Sequence, residues 1–175
     1  MPFHIRPFQK ADFDTLWRID QACFDPQLAY SQRELAFYMG RPGAFSLVAE
    51  VPTNGAPKNP VKHPSPRHSD SKDMPLAGIL GFIVAEVRRQ SGHIITIDVI
   101  AEARRAGVGA GLLRAAEARL RDAGALAVAL ETPVNNEAAI RFYKNEGYFV
   151  EKTVRGYYSN QLDALVMTKS LAGTG

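Results

Sequence analysis

The sequence predicts an α/β domain built on one sheet of mixed strand direction. Short β-type apolar runs alternate along the chain with segments whose apolar residues recur at helical spacing. Read in order they give strand, helix, helix, three strands, helix, strand, helix and two strands, or seven strands and four helices with no internal repeat. The length of 175 residues suits one domain, 1–175, and 46% hydrophobic against 22% charged residues allows a real core.

The first strand is "PFHIRPF". In "ADFDTLWRIDQACF", Phe13, Leu16, Trp17 and Ile19 share a helical face, with Asp12 or Asp14 placed to cap it. "DPQLAYSQ" interrupts that helix. "SQRELAFYMG" predicts a second, with Ser31 three residues before Glu34 as a capping box and Gly40 as its stop. "AFSLVAEV", "LAGILGFIVAEVRR" and "GHIITIDVI" are strands. In "GAGLLRAAEARLRDAG", Leu112, Leu113, Ala116 and Leu120 line one face and Gly124 ends the helix. "ALAVALE" is nearly all apolar, which predicts a central strand buried on both sides. "NNEAAIRFYKNEG" is a helix with Asn135 or Asn136 at its cap and Gly147 past its end. "YFVEKTVRGYY" and "DALVMTKSL" close the sheet.

Residues 52–75 differ in character. They hold six of the eleven prolines and no Leu, Ile or Phe, too little apolar area to offset the entropy of ordering them. They predict a disordered insertion in the loop between two strands, which costs little extra closure entropy. His63 and His68 lie here, as solvated histidines or, less simply, metal ligands.

The net charge of +3 fits an anionic ligand without calling for nucleic acid. Cys23 is the single cysteine, so no internal disulfide or cysteine-rich metal site forms, and no metal is expected. The start has no apolar signal core. "LAGILGFIVA" is far short of the roughly 20 residues of a membrane span. A soluble cytoplasmic protein with no membrane role is the expectation. The oligomeric state is not written in the sequence.

The chemistry begins at "RRAGVGAGLL", Arg104 to Leu113. A glycine-dense helix start offers unpaired N–H groups and a positive dipole end, and Gly107, Gly109 and Gly111 remove β-carbons that would keep a phosphate away. A P-loop needs Gly-Lys-Ser/Thr, and the sequence has Gly109-Ala110-Gly111. A dinucleotide fingerprint needs a third glycine where Leu112 or Arg114 stands, although Glu131 does end the next strand, where a ribose-binding acid belongs. The pattern Arg/Gln-x-x-Gly-x-Gly/Ala is met by Arg104, Gly107 and Gly109. A plain, tightly packed helix start is the bland alternative.

With this loop the chain resembles the Gcn5-related N-acetyltransferases (GNAT). A second motif, N-x-x-A-x-x-F/L-Y-x-x-x-G-F/Y, is matched by Asn136, Ala139, Phe142, Tyr143, Gly147 and Tyr148, and the opening strand and helix are also similar. The resemblance covers the chain apart from 52–75. It implies a mostly antiparallel mixed sheet of about seven strands with about four helices on both faces. It also implies acetyl-CoA as cosubstrate, with Arg104 among the residues that bind it and its diphosphate on the amides of Arg105, Ala106, Gly107, Val108, Gly109 and Ala110. The pantetheine would lie along Ile97, Asp98 and Val99, near Asn136 and Tyr143.

Within that family, "LETPVNNEAAIRFY" is similar to the ribosomal-protein alanine acetyltransferases and related N-terminal acetyltransferases. The resemblance implies Glu131 as general base and Tyr143 as acid, with His93 assisting Glu131 through ordered water. It also implies that Phe24, Tyr30, Tyr157 and Tyr158 line the acceptor's access. The expected acceptor is the α-amine of a protein or peptide. A free small amine, or a module that binds acetyl-CoA without turnover, are the alternatives. Each side chain also has a plainer reading. Glu131 would be a solvent-facing strand end, Tyr143 a core aromatic, His93 a hairpin-edge residue, Asn136 a helix cap and the tyrosines surface aromatics.

Overall fold

The computed structural model describes residues 1–52, 78–159 and 161–173. The insertion expected at 52–75 lies, apart from Pro52, outside the described residues. The elements are β1 (His4–Pro7), α1 (Phe13–Cys23), α2 (Gln32–Met39), β2 (Ala44–Glu50), β3 (Ile79–Arg88), β4 (Ser91–Val99), α3 (Val108–Asp122), β5 (Ala127–Pro133), α4 (Glu137–Asn145), β6 (Phe149–Val154) and β7 (Ala164–Ser170). They form one sheet in the order β1-β2-β3-β4-β5-β7-β6. All neighbours are antiparallel except β4 and β5.

Strand alternation divides the core into two layers. Leu47, Ala49, Ile83 and Ala85 point to one face, where Leu112, Leu113, Ala116 and Leu120 of α3 cover them. Val48, Phe82 and Val84 point to the other, under Leu16 and Ile19 of α1 and Leu35 of α2. The helical faces read from the sequence are therefore the buried ones. The capping box at Ser31 is present, with the Glu34 N–H donating to Ser31 Oγ at 3.2 Å and the Ser31 N–H to Glu34 Oε2 at 2.9 Å. Asp12 departs from expectation. It precedes α1 but makes no cap bond to it. Its carboxylate instead accepts from the Gln9 N–H at 2.8 Å and from the Arg6 guanidinium, because a 3-10 turn at Lys10–Asp12 intervenes.

β5 also departs from expectation. Only Val128, Leu130 and Thr132 are buried, and the alternate residues are not. The cause is the pairing of β4 with β5, which holds only from Ser91–His93 to Ala127–Ala129. Beyond those pairs the parallel strands separate. Partners of β3 jump from Thr96 to Ile94, so Ile95 is an extra residue in β4. A bulge of this kind bends its strand and disrupts pairing. The result is a cleft in the middle of the sheet, with the β5-facing edge of β4 from Ile94 onward left without a strand partner.

Candidate active site

The cleft has two chambers. The larger, about 560 Å³, lies between the start of α3, the end of β4 and α4. Gly107 caps α3 in the left-handed conformation at φ 83°, with no side-chain cap. The first turn of α3 holds no acid, whereas α1, α2 and α4 carry Asp14, Glu34 and Glu137 in theirs. Its free N–H groups and positive dipole end are therefore uncompensated, as an anion seat requires. A β-carbon on Gly107 meets nothing within 4 Å, and one on Gly109 meets the Phe142 ring at 3.5 Å, facing the chamber. Gly111 has another purpose. A β-carbon there would press on Phe3 at 3.1 Å, so this glycine lets α3 approach the N-terminal strand and is not part of the anion seat.

Of the expected cofactor residues, Ile97, Asp98, Val99, Arg104, Arg105, Gly107, Gly109, Ala110, Asn136 and Tyr143 line this chamber. Val108 is buried in the core and Ala106 packs against it, so these two offer only backbone. Arg104 Nε donates to the Val99 carbonyl at 3.1 Å. The Asp98 side chain faces inward, 1% exposed, and Thr96 Oγ1 donates to it at 3.2 Å. Burial, reinforced by the charge of Asp20, holds this carboxyl well above the usual carboxylate range.

The smaller chamber, about 140 Å³, opens where β4 and β5 diverge, and Glu131 lines it with Phe24, Tyr30 and Tyr158. The two chambers share Phe24, Ile97, Asn136, Ala139 and Tyr143, so they adjoin one another. His93 sits beside Glu131, its Nε2 2.6 Å from Glu131 Oε2. That contact is direct. Burial disfavours the imidazolium, but the hydrogen bond and charge of Glu131, with the charge of Glu86, outweigh it and raise the His93 pKa. Tyr143 is buried against Phe142 and Tyr148. Burial, with Asp98 and Tyr158 nearby, pushes its phenol far above its ordinary value. The hydroxyl is thus a donor throughout the neutral range. Asn136 Oδ1 caps α4 by accepting from the Ala139 N–H at 3.1 Å, while the residue also lines both chambers.

The mouth is built by two loops. Between α1 and α2, the Tyr30 N–H donates to Asp20 Oδ2 at 2.8 Å, and the Tyr30 carbonyl accepts from Trp17 Nε1 and Gln21 Nε2. Between β6 and β7, Ser159 Oγ donates to the Gln27 carbonyl at 3.1 Å and joins the loops. Tyr158 lines the smaller chamber. Tyr157 does not, being 48% exposed and packed edge-on against Tyr158.

Asp20 is fully buried with Oδ1 unpartnered, and burial raises its pKa to about 6. A pKa raised on folding contributes stability below the ordinary carboxylate value that is lost as pH rises through 6. Asp20→Asn is therefore expected to gain Tm relative to the native protein by about 3 °C or more at pH 8 and by much less at pH 4. Thermal melts of both proteins at the two pH values check this; an equal difference at both would contradict it.

Sequence reading missed Glu86, the acid of β3. It is 3% exposed and lies against His93. A lone acid late in an apolar strand was the available signal. Among the described residues, no group of three or more His, Cys, Asp or Glu is placed to hold a metal. No described helix is long and apolar enough to cross a membrane.

Residues 66–148 match the Acetyltransferase (GNAT) family. An uncharacterized N-acetyltransferase of Methanocaldococcus jannaschii is 35% identical over 166 residues, 94% of this chain and 90% of that one. The chain belongs to the GNAT acetyltransferase family. An N-alpha-acetyltransferase of Sulfurisphaera tokodaii is 36% identical over 83 residues, 47% of this chain and half the length of that relative. The crystal structure of the ribosomal-protein-S18-alanine N-acetyltransferase from Escherichia coli shares the GNAT fold at a TM-score of 0.75 and 20% identity, covering 99% of this chain and 97% of that one. The seven-stranded sheet and four helices are those of the GNAT fold, and the glycine loop and residues Asn136 to Tyr148 lie within the matched stretch.

Proposed function

We propose that this GNAT protein transfers the acetyl group of acetyl-CoA directly to the N-terminal α-amine of a protein or peptide. The observation that carries this is the adjoining of the two chambers: an uncompensated helix N-terminus on one, the Glu131 carboxylate with His93 paired to it on the other, and Tyr143 lining both. The anion-seat residues fit the diphosphate of acetyl-CoA, and the free edge of β4 fits an amide-bearing chain. Bound there, acetyl-CoA supplies an acyl group activated as a thioester.

Glu131 takes the proton of the incoming amine. An α-amine titrates near 7.7–8, about two and a half units below a lysine, so roughly a tenth is neutral at pH 7 and a modest base suffices. The Tyr143 hydroxyl donates toward the departing sulfur. Tyr30 and Tyr158, held by the joined loops, orient the acceptor in the mouth. The relative named as an N-alpha-acetyltransferase supports the acceptor class.

Short peptides with a free α-amine are expected to be acetylated at the N-terminus in the presence of acetyl-CoA, and the same peptides blocked there are not. Tandem mass spectrometry of the products locates the acetyl group. Acetylation only of lysine side chains or of free small amines would refute the acceptor proposed.

A further inference from the structure

β3 is apolar from Ile79 to Ala85 and then carries one acid. Glu86 is the register partner of His93 across the β3–β4 pair, so their side chains leave the same face of the sheet. Glu86 Oε1 lies 3.7 Å from His93 Nδ1 and 3.5 Å from Arg88 Nε, and its Oε2 lies 3.4 Å from Arg41 Nε. That Oε2 is buried without a hydrogen-bond partner. A buried acid kept for stability alone is normally fully paired, and an apolar side chain would pack here at lower cost. The imidazole instead stands between two carboxylates, Glu131 at Nε2 and Glu86 on the side of Nδ1.

We infer that Glu86 is a positioning residue that acts through His93, fixing which imidazole nitrogen faces Glu131 and holding the ring's charge against it. This rests on the acetyl transfer proposed above. At 2.6 Å, Nε2 and Glu131 Oε2 must share a proton, because two bare acceptors at that distance repel. When Glu131 accepts a proton from the amine, the pair regains its charge as His93 loses one to water through its exposed part, 35% of the side chain. The negative charge of Glu86 opposes that loss. It therefore sets the pH at which the pair becomes a competent base.

The charged and titratable groups around the ring come from several elements. Glu131 of β5 and Glu86 of β3 face it directly. Arg41, before β2, stacks on Phe37 and Tyr38 of α2 and pairs with Glu86, and Arg88 ends β3. Tyr157 and Tyr158 feel the charge of Glu131 from the β6–β7 loop. The two arginines offset part of the charge of Glu86 without reaching hydrogen-bond geometry with it.

Glu86→Gln keeps the shape and removes the charge. The NMR titration of the His93 ring, assigned by comparison with His93→Ala, is expected to move to lower pH by about one unit. The acid limb of the kcat/KM profile is expected to move with it, and Glu86→Asp should keep both near their native positions. An unmoved His93 titration in Glu86→Gln overturns the inference, and so does a moved titration with an unmoved limb. The native protein gives a reading that needs no Glu86 variant to fold: a His93 titrating below the ordinary imidazole value also overturns it. If Glu131→Gln proves fully active, the base assignment falls, while the His93 titration still reports on Glu86 by itself.

Discussion

Glu131→Gln is expected to lower kcat by roughly a hundredfold or more, with affinity for acetyl-CoA nearly unchanged. The glutamine fills the same space at the end of β5 and can still hydrogen-bond His93, so the cleft keeps its shape. It cannot take a proton. Glu131 lines only the smaller chamber, away from the anion seat, so cofactor binding has no reason to change. Steady-state kinetics with a free-amine peptide, together with calorimetric titration of acetyl-CoA, separate the two effects. Native kcat across the accessible pH range would remove Glu131 as the base. A collapse confined to His93→Ala would move that role to the imidazole.

Gly109→Asp is expected to abolish acetyl-CoA binding without unfolding the protein. Its β-carbon has ordinary van der Waals room, 3.5 Å from Phe142 and 3.7 Å from Val99. An acid in the first turn of a helix is favourable to the helix itself, by roughly 0.3–1 kcal/mol. The same carboxylate occupies the positive helix end with a negative charge of its own and stands where the proposed diphosphate would sit. Stability and binding should therefore move in opposite directions. A thermal melt and a cofactor titration on the same sample test this, and retained micromolar binding would displace the diphosphate from α3. Gly111→Ala makes the useful contrast. It presses on Phe3, so it is expected to cost stability while sparing the cofactor.

All seven strands and four helices were legible in the sequence, because their signals are local. Apolar spacing marks the α3 face of Leu112, Leu113, Ala116 and Leu120, a Ser–Glu pair marks the start of α2, and Asn136 and Gly147 bracket α4. The errors lie where local pattern meets a distant neighbour. "ALAVALE" looks two-sided because alanine and leucine are apolar on either face, yet the separation of β4 leaves one face on the cleft. Gly111 looks like its two neighbours in the loop, yet its side of the helix meets Phe3. Asp12 looks like a cap, yet Arg6 and the Gln9 N–H take its carboxylate.

The sequence alone determined the order of elements, the glycine-rich start of α3 and the chemical groups offered for the site: one strand-end acid, one helix tyrosine and one histidine. Only the tertiary structure decided how they meet. His93 and Glu131 are 38 positions apart and touch because β4 and β5 pair for three residues before they part. Glu86 joins them because strand register sets it opposite His93. Periodicity reports which face of an element is apolar, but register and divergence arise between elements. They are fixed by the packing of both faces of the sheet at once, and no single segment of the chain carries that information.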